Sequence, residues 1–309
     1  MARTVRFTAG ADTFVQGFNI QNTTITLFML GGNDTVLLDR DDDFGGRNHV
    51  DAGAGDDVVE SHREDGSLIL LGAGNDRYGG TGFGSFASDR PDTVRGGAGN
   101  DQIGATTFKS LYFGDAGNDT FFSSGQRNSF FGGQGRDMID YRLRDSGAVT
   151  VDLGRGFAQT GPIAQETLRG IEDVRGTADI AGDVLIGSAA ANRIIGDGGF
   201  DLLTGRGGAD TFIWTDISEA PMASDAIDII TDFSAAQNDL VDLVQIDANA
   251  LRTGNQAFRF IADGAFTGRA GQLRFSDLIL EGDVNGDGLA DFRIGLRDVA
   301  SLAADDILL

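Results

Sequence analysis

The sequence contains no cysteine, only three prolines and two histidines in its 309 residues. Without cysteine, the chain can form neither a disulfide framework nor a cysteine-ligated zinc site. Basic residues are also few. The chain has 24 Lys and Arg and 47 Asp and Glu, which gives a net charge of -23. Such a surface repels phosphate backbones and anionic headgroups, so nucleic-acid binding is not expected. The charge instead favours a fold in which bound cations neutralise clustered carboxylates.

Long hydrophobic runs are missing as well. The first residues, Met1 to Asp12, contain no apolar stretch of the length of a signal peptide or a membrane span. We therefore expect neither Sec-dependent export nor a transmembrane segment. Glycine, in contrast, is abundant at 47 residues, and with so little proline it fits neither collagen nor a proline-rich linker. Regularly repeated tight turns are the expected use of this glycine.

The glycines recur with aspartate in a unit of nine residues. The clearest copies are Gly96–Gly104, Gly114–Phe122 and Gly132–Asp140, and their aspartates lie 18 residues apart. Upstream copies begin at Ala52 and Leu71. Downstream, a continuous array advances in nine-residue steps through Asp183, Asn192, Asp201 and Asp210. The pattern G-G-x-G-x-D-x-U-x is typical of calcium-binding parallel β-helix repeats.

Each part of this unit has a physical role. The glycines permit positive φ, so that several backbone carbonyls can point into one concave space. The x-U-x part forms a short strand whose central residue points inward. Each coil then takes two units, and Val59, Tyr78, Ile103, Phe121 and Ile139 should stack as one core ladder. The sequence therefore predicts an all-β fold of parallel β-roll (β-helix) repeats with Ca²⁺, which prefers oxygen ligands, in the turns.

The chain resembles the repeats-in-toxin (RTX, haemolysin-type calcium-binding) family on these repeats. Residues 178–309 further resemble the C-terminal domain of serralysin-type metalloproteases, through Ser188–Asn192, Gly208–Phe212, Asp228–Phe233, Gly271–Phe275 and Gly282–Phe292. In that family the domain caps the roll with antiparallel strands and contains an uncleaved signal for type I secretion, to which Asp305–Leu309 is similar. The resemblance implies a secreted or cell-surface protein that contacts the type I secretion machinery during export.

The candidate calcium ligands are the glycines and acidic positions of the repeats, two aspartates beyond the array and one later loop. They are Asp34, Gly53, Gly55, Asp57, Gly72, Gly74, Asp76, Gly97, Gly99, Asp101, Gly117, Asp119, Gly133, Gly135 and Asp137, then Asp183, Asn192, Asp201, Gly205, Gly207, Asp210, Asp228 and Asp232, and finally Asp283, Asn285 and Asp287. The last three resemble the first half of an EF-hand loop, although the final glutamate of such a loop is absent.

No catalytic residue is predicted. A zinc protease needs H-E-x-x-H, and neither His49 nor His62 has a second histidine at that spacing. The G-x-S-x-G elbow of lipases is also absent, the closest approach being Gly82–Phe86. The favoured role is thus a non-enzymatic surface, matrix or adhesion component with a polysaccharide or protein partner.

Two other roles stay open. One is a calcium-dependent enzyme acting on polysaccharide, with a cleft formed by the insertions 39–46 or 80–90. The other is a secretion and folding module whose partner protein binds Phe83, Phe86 and Phe108. The expected domains are an irregular calcium-binding roll over 1–145, a connecting β-hairpin over 146–177, a second roll over 178–215 and a capping domain with the secretion signal over 216–309.

Overall fold

The structure is a computed structural model, and it describes residues 3–16, 24–38, 47–62, 66–81, 90–125, 127–144, 147–220 and 227–309. The insertion 39–46 lies outside the described residues, as do Phe83 and Phe86. The chain divides into two compact units. The first comprises Met1–Arg144 and Gly156–Ile171, and the second comprises Asp145–Arg155 and Glu172–Leu309. The segment 146–177, expected as one connecting hairpin, therefore contributes to both units.

Strands β1 to β14 alternate between two parallel sheets of the first unit. Their bounds are Arg3–Arg6, Thr13–Val15, Ile25–Phe28, Thr35–Leu38, His49–Ala54, Val58–His62, Leu68–Ala73, Arg77–Thr81, Thr93–Ala98, Gln102–Ala105, Leu111–Ala116, Thr120–Ser123, Ser129–Gln134 and Met138–Asp140. Odd-numbered strands pair with odd-numbered ones and even with even, so that each coil contributes one strand to each sheet.

The remaining strands, β15 to β29, are divided between the two units. Their bounds are Thr150–Asp152, Phe157–Gln159, Gln165–Arg169, Asp173–Arg175, Val184–Ile186, Arg193–Ile195, Leu202–Thr204, Thr211–Ile213, Asp228–Ile230, Leu240–Asp242, Arg259–Phe260, Gln272–Ser276, Ile279–Asp283, Phe292–Leu296 and Ile307–Leu308. Strands β16 and β17 form an antiparallel pair in the first unit, where β17 also extends the sheet of β13. The described helices are single 3-10 turns at Ile217–Glu219, Ala235–Gln237 and Ala304–Asp306.

The core of the first unit is the predicted ladder. Val59 pairs with Tyr78, Tyr78 with Ile103, Ile103 with Phe121, and Phe121 with Ile139, all in register across neighbouring strands. Each of these side chains is at most 2% exposed. The nine-residue period thus placed one apolar side chain per coil on the inner face, and the prediction is confirmed.

The second unit repeats this arrangement and then changes. Parallel strands β15, β19, β21, β23 and β28 form one sheet, while β18, β20, β22, β24 and β29 form the other. Strands β26, β27 and β28 are antiparallel neighbours. The expected antiparallel C-terminal strands are therefore present, and the all-β, parallel β-roll fold class is confirmed.

Close stacking of the turns depends on glycine. Gly99 adopts φ of 130°, and a Cβ atom there would overlap the carbonyl oxygen of Gly74 in the preceding coil. On the outer face of β8, by contrast, a Cβ atom on Gly79 would meet no atom within 4 Å. A methyl group at Gly99 would therefore clash with the preceding coil, whereas one at Gly79 would not.

We predict that Gly99→Ala destabilises the calcium-loaded protein, because it adds both a strained backbone and a clash with a neighbouring coil. The expected loss is about 1–3 kcal/mol. Gly79→Ala is the matched control and should change stability by less than about 0.5 kcal/mol. Urea unfolding of both variants in calcium measures the difference, and equal stability of the two would contradict the stacking described here.

Candidate calcium sites

Aspartates of successive coils form a ladder along one edge of the first unit, called the aspartate edge. Its members are Asp34, Asp57, Asp76, Asp101, Asp119 and Asp137. The Oδ1 atom of each one accepts a hydrogen bond from the backbone N–H of the aspartate one coil earlier, at 2.7–2.8 Å within this set. One carboxylate oxygen of each repeat is therefore used to connect neighbouring turns.

The second carboxylate oxygen is the unusual feature of the aspartate edge. The Oδ2 atoms of Asp34, Asp57, Asp76, Asp101 and Asp119 are buried and have no hydrogen-bond partner. Each of these residues is at most 2% exposed. A buried carboxylate oxygen without a partner is costly, so it needs either a proton or a cation. The row of such oxygens is the signature of a row of cation sites.

Backbone carbonyls supply further oxygens beside these carboxylates. A Cβ atom on Gly97 would overlap the carbonyl oxygen of Gly72, as one on Gly99 would overlap that of Gly74. A Cβ atom on Gly96 would overlap Oδ2 of Asp101 itself. The glycines of the turn therefore leave room for oxygen atoms that any side chain would displace. Carbonyl and carboxylate oxygens are the ligands that Ca²⁺ takes, so the residues fit this ion.

Carboxylates alone do not build these sites. Among the described residues, no group of three or more Asp, Glu, His or Cys side chains is arranged to hold a metal ion. An ion in this edge must therefore draw many of its ligands from the main chain of the turns. The glycines Gly53, Gly55, Gly72, Gly74, Gly97, Gly99, Gly117, Gly133 and Gly135 all adopt positive φ in these turns, as the repeat requires.

The electrostatics of the aspartate edge favour proton uptake when no cation is bound. The pKa of Asp57 is raised to about 7, mainly by burial and also by the nearby carboxylates of Asp76 and Asp34, against the lowering effect of its hydrogen bond. Burial likewise raises the pKa of Asp76 to about 6 and that of Asp101 to about 7. A bound cation has to displace these protons, so calcium binding and proton release are coupled.

The opposite edge of the first unit provides an internal comparison, and we call it the Asn/Ser edge. Its members are Asn48, Ser67, Asp92, Ser110 and Asn128. They accept the same inter-coil hydrogen bond from a backbone N–H, at 2.8–3.1 Å. A serine or asparagine therefore suffices for that bond. What aspartate adds is the second, charged oxygen, so Oδ2 is the oxygen left available to a cation.

A second ladder, which the sequence did not predict, uses the residue just before each aspartate. The backbone N–H of Asp56 donates to Oδ1 of Asn33, and the pattern continues through Asn75, Asn100 and Asn118. These bonds run from a later coil to an earlier one, opposite to those of the aspartates. The two ladders together connect each turn with its neighbours in both directions, and the repeated Asn-Asp pair was the signal for them.

In the second unit, Asp183, Asp201 and Asp228 continue the aspartate pattern. Asp201 matches the first unit, because its Oδ2 is buried without a partner and burial, followed by the Asp228 charge, raises its pKa to about 8. Asp183 Oδ2 instead accepts from the backbone N–H of Thr177 at 2.6 Å. Asp228 Oδ2 accepts from the indole Nε1 of Trp214 at 2.8 Å.

On the other edge of the second unit, Asn192 lies one coil before Asp210. The Oδ1 atom of Asp210 accepts a hydrogen bond from the Asn192 backbone N–H at 2.8 Å. A Cβ atom on Gly205 would overlap Asp210 Oδ2, so this turn resembles those of the first unit, whereas a Cβ atom on Gly207 would make only ordinary contacts, the nearest at 3.6 Å from Gln237 Oε1. Asn192 is different, because its Nδ2 donates to the carbonyl of Glu172 and its Oδ1 accepts from the backbone N–H of Ser188.

The side-chain oxygens of four predicted ligands accept hydrogen bonds from backbone N–H groups of turns. The two oxygens of Asp232 accept from the backbone N–H groups of Gly205 and Arg206, each at 2.8 Å. Asp283 accepts from Gly286 and Gly288, while Asn285 and Asp287 accept from backbone groups two residues ahead. The structure thus gives these side chains a role in shaping turns, and calcium ligation by them stays a prediction.

The coiled architecture and the oxygen-lined turns define a parallel β-roll with repeated cation sites. Comparison with known families finds four copies of the RTX calcium-binding nonapeptide repeat, at residues 45–68, 86–105, 112–141 and 178–213. The chain accordingly contains RTX calcium-binding repeats, and Ca²⁺, in several copies, is the ion that such repeats bind. No curated protein matches the chain. In the part of the chain that the structure describes, no helix is long and apolar enough to cross a membrane.

We predict that Asp101→Asn lowers the number of bound calcium ions while preserving the fold at high calcium. The asparagine keeps an oxygen for the Asp76 N–H but replaces Oδ2 by an NH₂ group. The calcium concentration for half-maximal folding should rise by about threefold to tenfold, which corresponds to about 0.7–1.4 kcal/mol. Calorimetric calcium titration measures both quantities. Asn128→Ser on the Asn/Ser edge is the control and should leave the stoichiometry unchanged; equal behaviour of the two variants would refute the assignment of Oδ2.

We also predict that calcium affinity falls as the pH is lowered from 8 to 5.5. Because burial raises these pKa values in the metal-free roll, protons compete with the ion. In chelator, the folding stability of the metal-free roll depends on pH in the opposite direction. It falls as the pH rises from about 4 through 7, since the buried carboxyls ionise. Calcium titrations at pH 5.5, where the metal-free roll holds these protons, in two buffers of different ionisation enthalpy should give different heats, and identical heats would show that no protons are released.

Proposed function

We propose that this protein folds on binding extracellular calcium and acts as a non-enzymatic surface, matrix or adhesion component. The observation that carries the proposal is the row of buried Oδ2 atoms without partners on the aspartate edge. A fold that places one unsatisfied carboxylate oxygen in each successive coil is complete only when cations are bound. The metal-free chain is therefore expected to be largely unfolded at neutral pH.

The free energy supplied by calcium fits an extracellular setting. Calcium modules outside cells have dissociation constants of about 0.1 mM, and extracellular calcium is about 1 mM, so each site contributes about 1.4 kcal/mol. At the far lower calcium concentration inside a cell this contribution disappears. The mutual repulsion of the stacked carboxylates and the chain entropy of glycine then oppose folding. An unfolded chain inside and a folded protein outside follow from this difference.

Export by a type I secretion system agrees with this mechanism. Such export suits a chain that stays unfolded until it reaches calcium. The resemblance of residues 178–309 to the serralysin-type C-terminal domain supports the same route. In the structure, the antiparallel strands β26, β27 and β28 lie in this region, as that resemblance leads one to expect.

Support for a non-enzymatic role comes from two side chains that could have served catalysis or partner binding. His49 packs against Phe28 with ring centroids 6.0 Å apart, in a strand that belongs to the roll. Phe108, considered as a partner-binding side chain, already carries Lys109 and Arg127 over its ring at 5.0 and 5.7 Å. Neither observation favours the enzyme or the partner-folding module over the calcium-dependent structural component.

We predict that far-ultraviolet circular dichroism shows little β-structure in chelator at pH 7.5 and a cooperative gain of it on calcium addition. Magnesium at the same concentration should be much less effective, because it demands a tighter octahedral shell than these main-chain turns supply. A chain that shows its full β-signal in chelator would contradict the proposal.

A further inference from the structure

The outer face of the even-numbered sheet in the first unit contains a groove of about 430 Å³. Its floor is formed by Gly79 of β8 and Gly104 of β10, which are direct neighbours across the two strands. Both alternate with inward residues, Tyr78 and Ile103, so the glycines face outward. The groove exists because two adjacent strands have no side chain at this height.

The two walls of the groove differ in chemistry. Glu60 of β6 is the cross-strand neighbour of Gly79, and Phe122 of β12 is the neighbour of Gly104. A carboxylate and a phenyl ring therefore face each other over two bare strands, with about 14 Å between their backbones at the usual strand spacing. Leu143, which is 55% exposed, adds apolar surface to the lining.

Polar side chains of complementary kind complete the groove. Arg77 and Gln102 are cross-strand neighbours and line it together with Glu60. Within the described part of the chain, the side chains of Glu60, Arg77 and Gln102 form no hydrogen bond or ion pair. An acceptor, a donor and an amide that is both are thus available to a ligand.

We propose that this groove binds a neutral pyranose ring of an oligosaccharide or polysaccharide. A pyranose has a C–H face that can lie on the Phe122 ring, whose face is electronegative, and on the glycine floor. Its rim of hydroxyls both donates and accepts hydrogen bonds, which matches Glu60, Arg77 and Gln102. The volume lies within the range of small-molecule sites.

Charge and desolvation favour a neutral pyranose over a polyanionic glycan or a hydrocarbon chain. A polyanionic glycan would meet Glu60 and the negative field of a chain with net charge -23. A hydrocarbon chain would desolvate three polar side chains without giving them hydrogen bonds. This inference goes beyond calcium-dependent folding and needs only the folded roll, so the two can fail separately.

The test is isothermal titration of the full-length protein, in millimolar calcium, with maltohexaose, cellohexaose, laminarihexaose and chitohexaose, and with tetragalacturonate and an octyl detergent as competing classes. At least one neutral hexamer should bind. Gly79→Leu, whose Cβ atom would meet no atom within 4 Å and whose side chain would occupy the floor, and Phe122→Ala should each weaken that binding by at least about tenfold. Phe131→Ala is the matched control, because this outward aromatic stacks on Phe113 at 4.6 Å in the other sheet, and it should bind like the wild type.

Circular dichroism in calcium is recorded for every variant, so that a loss of folding is not read as a loss of binding. If Gly79→Leu does not fold, Glu60→Gln and Gln102→Ala take its place, and each should weaken binding by about threefold or more. Absence of binding by all neutral hexamers, unchanged binding in the groove variants, or preference for tetragalacturonate or the detergent would each overturn the proposal.

Discussion

The two carboxylate oxygens of each repeat aspartate have different environments, and the stacked turns rest on this difference. One oxygen of the Asp101 carboxylate accepts the backbone N–H of Asp76, while the other is buried with no partner. The first oxygen fixes the stacking of neighbouring turns, and the second makes the stack dependent on a cation. Because the same arrangement recurs in Asp34, Asp57, Asp76 and Asp119, we propose that folding and ion binding are a single process in the first unit.

The Asn/Ser edge shows that this dependence belongs to one side of the coil. Ser110 and Asn128 make the inter-coil bond without a charge, so their turns need no ion for that bond, although the same edge also contains Asp92. In Asp183 and Asp228 the second oxygen is satisfied by Thr177 and Trp214 instead. A protein of net charge -23 thus confines its need for calcium to particular turns and uses ordinary hydrogen bonds in the others.

Much of the fold followed from the sequence because the repeat is strictly local. The inward ladder from Val59 to Ile139 and the pairing of successive coils need only the nine-residue period and the alternation of a strand. The aspartate positions were equally readable. The partner of Asp228 was not, because the Trp214 indole reaches it only through the three-dimensional path of the chain. The contact of Asp283 with the Gly286 N–H is local, since the two residues are three positions apart. The division of residues 146–177 between two units was hidden for the same reason, since β17 pairs with β13 of the first unit and β15 pairs with β19 of the second. The saccharide groove depends on Gly79 and Gly104 being neighbours, which separate insertions between coils obscure in the sequence.

We propose that calcium ions sit against the Oδ2 atoms of the aspartate edge. The most direct measurement is anomalous X-ray scattering from crystals grown in millimolar calcium. We expect a row of anomalous peaks, each within Ca–O bonding distance, about 2.3–2.6 Å, of an Oδ2 atom and of turn carbonyls. Ordered turns whose Asp57, Asp76 and Asp101 Oδ2 atoms have no anomalous peak beside them would contradict it.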